Sequence, residues 1–362
     1  MERDREALFL LLRAALTADC RFVMPSGIDW TRLIHNAKTQ GVAAIALDGL
    51  QILTNNTAYE PHGLEKTAKL QWFAVSQCIE KRYERQLASA NELSRLWHRN
   101  GIRTLVLKGF AFADYYPQPC HRLASDMDCY LCGRYEDGNK AVELLGIKVD
   151  REDYRHSTFM FKDVYVENHK ICTTVRGLPQ RKRFEASLCS LLENEKTRFL
   201  GDSFLEKPCD RFNALYFLQH AHRHFLREGI TLRHVCDWAM IVNKAHCFDN
   251  DFWTSCRNND LMPFAETMTR LARKVCGVQA EWLPNDVKLE KHDMLLLEDC
   301  FCIERNAVRY GNHWKAHLQM VNNMLSMRWK YKYFSNRPLI VELLSLVWSN
   351  WFEKDPDIPK LS

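Results

Sequence analysis

Apolar positions in the first hundred residues recur with a helical period. Leu8, Leu11, Leu12, Ala15 and Leu16 share one face of a segment that also carries Arg3, Arg5 and Arg13, the pattern of an amphipathic helix rather than of a signal peptide. A second periodic segment starts at Asp29-Trp30 and runs through Leu33, Ile34 and Ala37, and a third spans Val42 to Leu50. Residues 63–99 make one long helical pattern rich in Leu, Ala, Glu, Lys and Arg, closed by Asn100-Gly101 in the manner of a C-terminal cap.

The texture changes at Ile102. IRTLVL is a short aliphatic run, expected to be a buried strand, and Lys108-Gly109 follows it. FAFADYY reads as a short helix stopped by Pro117 and Pro119, and SDMDCYLC as the next strand. YEDGNKAVELLG predicts a helix and IKV a short strand. STFMFKD and VYVENHKICTTV predict two strands joined by a tight turn at Lys162-Asp163. Past about residue 183 helical patterns return, over 211–229, 230–244, 260–276, 290–308 and 312–334. The expected organisation is an N-terminal helical region (1–97), an α+β core (98–183) and a C-terminal helical region (184–362), with no repeats and no low-complexity tract.

Bulk properties narrow the class without choosing a chemistry. The 362 residues are 46% hydrophobic and 26% charged, with a formal net charge of +5. This is an ordinary globular balance that permits an anionic substrate without demanding a nucleic acid. The 14 cysteines are scattered, which suits reduced thiols and a cytoplasmic location. Cys129 and Cys132 have CxxC spacing, but no second pair stands at zinc-site spacing, so a structural role is expected for them and for Cys300/Cys302. The apolar stretch PLIVELLSLVWSNWF (338–352) contains Glu342 and falls short of the roughly 20 residues that span a bilayer. It reads as a packed terminal helix.

The chemistry concentrates between Leu105 and Leu131. Asp126 and Asp128 are two apart on a predicted strand, so they share a face, roughly 7 Å apart at the backbone. Two such carboxylates repel unless a cation lies between them, and Mg²⁺ or Mn²⁺ takes oxygen ligands of this kind. Lys108-Gly109 precedes a helix start, where backbone N–H groups and a lysine can meet phosphate. Glu167 on a later strand is the candidate third carboxylate, as metal ligand or proton acceptor. His169 faces the same way and either touches substrate or caps the sheet, while Arg122 is placed to pair with Asp126 or to bind phosphate.

The order LKG, YP, Arg122 and DMD resembles a poorly characterised bacterial nucleotidyltransferase family of the DNA polymerase β-like superfamily. The resemblance extends to DWTRLIHNAKTQGVAAIALDGL (29–50) and to the LQHAHRHF and LRHVCDWAMI segments. It implies a polymerase-β-like core, a small mixed sheet with helices, flanked by helical regions. It also implies metal-dependent transfer of an NMP from an NTP to a hydroxyl acceptor, with Asp126, Asp128 and Glu167 as metal and catalytic residues and Lys108, Gly109, Arg122 and His169 on the nucleotide. The acceptor, whether small molecule, protein or RNA, is left open. Two alternatives stand beside this reading: a nucleotide-binding scaffold that has lost the chemistry, and an enzyme acting on RNA such as tRNA as a toxin or processing factor. The superfamily pattern usually has Gly-Ser or Gly-Gly at the turn. Here it is Gly109-Phe110, which leaves Lys108 and the backbone to hold phosphate.

Two further features call for placement. His220, His222 and His224 lie on one predicted helix, with His220 and His224 one turn apart, and are expected to line a cleft with Arg233 and Asp237 or to pack as ordinary helix residues. The basic runs QRKR (180–183) and MRWKYKYFSNR (327–337) are solvated helix faces or, for the second with its interleaved aromatics, a surface for single-stranded nucleic acid.

Overall fold

Helix α1 (Glu2–Thr17) buries Leu8, Leu11, Leu12, Ala15 and Leu16, the face its periodicity marks. In this computed structural model, residues 2–123, 126–175, 179–283, 288–302, 322 and 324–344 are described. Helix α2 (Trp30–Thr39) opens on Asp29, whose side chain accepts from the Arg32 backbone N–H; a capping acceptor of this kind contributes about 1 kcal/mol. Helix α3 (Ala43–Asn56) packs on α1. At Gly49 the two run so close that a Cβ would stand 1.9 Å from the Leu11 carbonyl oxygen, which excludes any larger residue. Helix α4 (Lys66–Arg99) ends at Asn100-Gly101, with Gly101 at φ +68°.

The sheet has six strands among the described residues, in the order β3-β4-β2-β1-β6-β5. Strand β1 (Thr104–Val106) leads through Gly109 into the short helix α5 (Phe110–Ala113), and β2 (Met127–Tyr130) returns antiparallel to β1. Helix α6 (Tyr135–Glu143) follows. The hairpin β3 (His156–Phe161) and β4 (Val164–His169) turns at Lys162-Asp163 as expected, and β4 runs parallel to β2. IKV forms no strand; the sole pairing nearby is an isolated bridge from Asp150 to Thr158. Beyond β4 the Lys170 and Ile171 N–H groups both donate to the Arg155 carbonyl, and those of Cys172 and Thr173 then turn aside to the buried Glu185 carboxylate of helix α7 (Pro179–Asn194), each at 2.7 Å.

The α+β class holds, but the sheet draws on residues that were expected to be helical. Strands β5 (Arg198–Phe199) and β6 (Leu205–Lys207) complete it, with β6 parallel to β1. Their polar side chains conceal them in the sequence. Glu206 is buried because Arg103 and Thr197 bind it, and the Lys207 ammonium lies 3.0 Å from the centre of the Tyr115 ring and 2.8 Å from Asp114.

The remaining helices are α8 (Asp210–Arg227), α9 (Leu232–Lys244), α10 (Asn250–Asn258), α11 (Met262–Cys276), α12 (Lys291–Cys300) and α13 (Arg328–Phe334). The helical readings for 303–308 and for most of 312–327, and the last part of the 338–352 segment, lie outside the described residues; 339–344 is helical. No helix of the described residues is long and apolar enough to cross a membrane.

Two cores meet at the sheet. On one face Val106, Met127, Cys129, Val166, Phe159 and Phe161 pack with Leu93 and Trp97 of α4 and with Val142 of α6. The Trp97 indole N–H donates to the Gly138 carbonyl at 3.1 Å. The larger core joins α1–α3 to α8–α12. Strand alternation then sends Asp128, Glu167 and His169 to the opposite face of the sheet from Met127, Cys129 and Val166, toward α8.

Candidate functional site

Pairing of β2 with β4 decides the site. In their parallel register Asp128 lies beside Glu167 and Tyr130 beside His169, and in the β3–β4 hairpin His156 lies opposite His169. Asp126, Asp128 and Glu167 each offer an oxygen, all within 4.8 Å of one another. The register, which no spacing along the chain reveals, makes Glu167 the neighbour of Asp128.

The cluster carries its own countercharges. The Lys108 ammonium, at the end of β1, stands 3.0 Å from Asp128 Oδ1 and 3.4 Å from Asp126 Oδ2. Burial works against its charge, but Asp128, Asp126 and Glu167 outweigh that and raise its pKa. His169 donates from Nδ1 to the Ile171 carbonyl at 3.2 Å and presents Nε2 to Asp128 at 3.0 Å and to Glu167 at 3.5 Å. Burial would lower its pKa, yet the two carboxylates push it up to about 8. Burial would raise Glu167, but the hydrogen bond from His169 and the charge of Lys108 hold it down at about 2. His156, with its ring centre 5.0 Å from that of His169, is lowered by burial and by the His169 charge.

The group fits a divalent cation. Asp128 is 1% exposed, and its Oδ2 is buried with no hydrogen-bond partner, a cost that an oxygen-seeking cation would remove. Three carboxylate oxygens make a hard donor set suited to Mg²⁺ or Mn²⁺. A second trio, His156, Glu167 and His169, shares Glu167, and its nitrogen donors suit the softer of those ions better. His156 escaped the sequence reading because only the hairpin register sets it over His169.

The glycine turn is built differently from the expectation. Gly109 has φ +64°, and a Cβ there would stand 3.0 Å from the Asp126 carbonyl oxygen, so the turn presses against the strand that carries the carboxylates. Phe110 is 3% exposed and packs edge-on against Tyr83, 5.4 Å between ring centres. The position after the glycine therefore serves the core. Arg122, expected to reach Asp126 or phosphate, is held elsewhere. Its Nε and Nη2 donate to Asp237 at 2.7 and 2.9 Å, and its Nη1 donates to the Gly109 carbonyl at 3.3 Å. Asp237 also accepts from Tyr116 at 2.7 Å. Arg122 thus braces the turn from behind.

The carboxylates open into a cleft of about 560 Å³. His220 and His224 of α8 line it, as do Arg155, Arg181, Arg223 and Arg227. His222 points away and meets the Phe334 carbonyl at 2.8 Å, and Arg233 reaches the Leu123 carbonyl at 3.1 Å. The arginines of α8 carry no motif and went unnoticed in the sequence. The basic aromatic run at 327–337 is divided: Lys330 is fully buried, bound to Asp299 at 2.6 Å and to the Phe225 carbonyl at 2.9 Å, with Tyr331 and Phe334 buried beside it, whereas Arg328 and Lys332 are exposed. Cys129 lies in the sheet core and Cys132 in the turn after β2, and both are free thiols.

Residues 26–277 match the model of a family described as uncharacterised nucleotidyltransferase, a span well over half of the chain. The chain belongs to this family. The match covers the sheet, the three carboxylates and α8. No curated protein and no solved structure matches the chain.

Proposed function

We propose that this nucleotidyltransferase-family chain moves an NMP from an NTP to a hydroxyl acceptor and releases pyrophosphate, acting in the cytoplasm of a bacterial cell. We further assign its core to the DNA polymerase β-like superfamily. The observation that carries the reading is the trio Asp126, Asp128 and Glu167, gathered within 4.8 Å on one sheet face with one buried oxygen of Asp128 unpartnered. These three residues would hold Mg²⁺ or Mn²⁺. When bound, the cation supplies neutralisation of phosphate oxygens and of the leaving pyrophosphate.

The chain's own groups then have distinct tasks. An acceptor oxygen attacks the α-phosphorus, the bond to the bridging oxygen of the pyrophosphate breaks, and the acceptor's proton is lost to a base. Glu167, kept ionised by His169 and Lys108, is the carboxylate that would receive that proton as well as hold the cation. Lys108 compensates the carboxylates and His169 orients Asp128. Acceleration then comes mainly from preorganised charge, as in other phosphoryl-type transfers.

Each α-labelled NTP, incubated with total cell extract and Mg²⁺ or Mn²⁺, is expected to label one fraction among RNA, protein and small molecules. Asp126→Asn/Asp128→Asn is expected to lower that labelling by about a thousandfold, the equivalent of about 4 kcal/mol. No labelled product in any fraction, with the double variant indistinguishable from the parent, sinks the reading. NTP binding without any transfer would favour the scaffold alternative, which the burial of Phe110 motivates.

A further inference from the structure

The cleft sets five carboxylates, Asp126, Asp128, Asp153, Glu167 and Glu228, against five permanent cations, but they are not joined one to one, and the cations left without a bonded partner lie on one helix. Lys108 is taken up by Asp126 and Asp128, and Arg122 by Asp237 and the Gly109 carbonyl. Arg155 is paired with Asp153 at 2.7 Å, Arg181 with Glu342 at 2.8 Å, and His224 with Glu228 at 3.3 Å. Arg223 and Arg227 line the same cleft, and neither makes an ion pair or a hydrogen bond with any described residue. They stand one turn apart on α8, so their side chains leave the helix on one face. Burial, then the charges of Arg155 and Arg227, lower the pKa of Arg223 to about 10. The pKa of Arg227 is lowered too, first by burial. Glu228 feels the charge of both, yet no carboxylate bonds either one, and half-buried guanidiniums with unfilled donors are unfavourable until an anion occupies them.

We propose that Arg223 and Arg227 are the polyphosphate-binding arm of the cleft, holding the outer phosphates of the NTP by paired guanidinium–phosphate hydrogen bonds. The inference rests on the nucleotidyl-transfer reading and refines it. The glycine turn offers no hydroxyl because Phe110 is in the core, and Lys108 is engaged by the carboxylates. The load expected of that turn therefore falls on α8. Guanidiniums suit it, since each presents a planar fork that matches two oxygens of one phosphate. Opposite polarity then divides the cleft, with the acidic sheet face at one wall and the α8 arginines at another. A triphosphate spanning them is fixed at its outer end while its α-phosphorus lies toward the carboxylates.

Inorganic tripolyphosphate, titrated into the full-length protein with EDTA present, tests this without turnover. Wild-type protein is expected to bind it, with affinity falling as salt rises. Arg223→Gln and Arg227→Gln should each weaken binding about tenfold, and the double variant on the order of a hundredfold. Arg223→Lys/Arg227→Lys should recover part of the loss. Because neither arginine has a partner, the glutamine variants should melt at or above the wild-type temperature, which separates lost binding from lost folding. NTP should displace tripolyphosphate, while NMP and a single-stranded oligonucleotide lacking a triphosphate should not.

The failures are distinguishable. Tripolyphosphate binding that needs the arginines, without any labelled transfer product, keeps this proposal and removes the enzymatic reading. Labelled transfer whose NTP KM is unchanged in Arg223→Gln/Arg227→Gln overturns this proposal and keeps the enzymatic one. Absence of tripolyphosphate binding, or displacement by the oligonucleotide, also overturns it.

Discussion

Two buried ionic sites in this protein look alike in composition and differ in completeness. Behind the glycine turn, Arg122, Asp237 and Tyr116 form a closed set, with three hydrogen bonds of 2.7–2.9 Å converging on one carboxylate. Across the cleft the charges are present but not joined, with a partnerless oxygen on Asp128 and two arginines on α8 that no carboxylate bonds. Desolvation taxes both sites alike. The closed set recovers that cost within the fold and acts as framework. The open one keeps its cost until something binds, which is the mark of a site built for ligands.

That contrast can be broken at its closed end with the largest effect. Asp237→Ala leaves Arg122 buried and uncompensated and should lower unfolding stability by about 3–5 kcal/mol, read by urea denaturation with or without Mg²⁺. A loss under 1 kcal/mol would mean that the set is not framework. Lys108→Gln tests the open end and should act in two directions. Without divalent ions, three crowded carboxylates lose their ammonium, at a cost of about 2–3 kcal/mol. Added Mg²⁺ or Mn²⁺ should then raise the melting temperature more than it does in wild type, because the cation no longer competes with the lysine. An equal rise in both proteins would detach Lys108 from the metal question.

A smaller effect is expected at His121, which bridges α3 and α4 through Asp48 and Glu80, each at 2.6 Å. Burial disfavours its charge, but Asp48 and Glu80 outweigh that and raise its pKa above 6.5. The stabilisation is therefore complete below the unfolded-state pKa and is lost as pH rises through the folded one. His121→Gln should cost about 1–2 kcal/mol at pH 5.5 and less at pH 9. A penalty that is the same at both pH values would show that the bridge does not depend on charge.

Legibility along the chain followed the same division. The long amphipathic helices, the hairpin turn at Lys162-Asp163 and the strands around LVL and DMD could be read, because a core face imposes its period on the residues. Strand β6 could not. Leu205-Glu206-Lys207 holds one apolar residue, and its polar side chains are buried only because Arg103, Tyr115 and Asp114 come to meet them. Phe110 was visible as a departure, but its place against Tyr83 was not.

By itself the sequence determined that a carboxylate pair, a glycine turn and a third acid lie in one α+β core, since strand alternation and turn chemistry are local. It could also suggest where a nucleotide belongs. Tertiary structure alone decided that Glu167 stands beside Asp128, that His156 joins His169, that Arg122 turns away to Asp237, and that Arg223 and Arg227 face the carboxylates across a cleft. Each of these depends on strand register or on helix placement over the sheet. Those are settled by burying side chains far apart in the chain, and no spacing between neighbours encodes them.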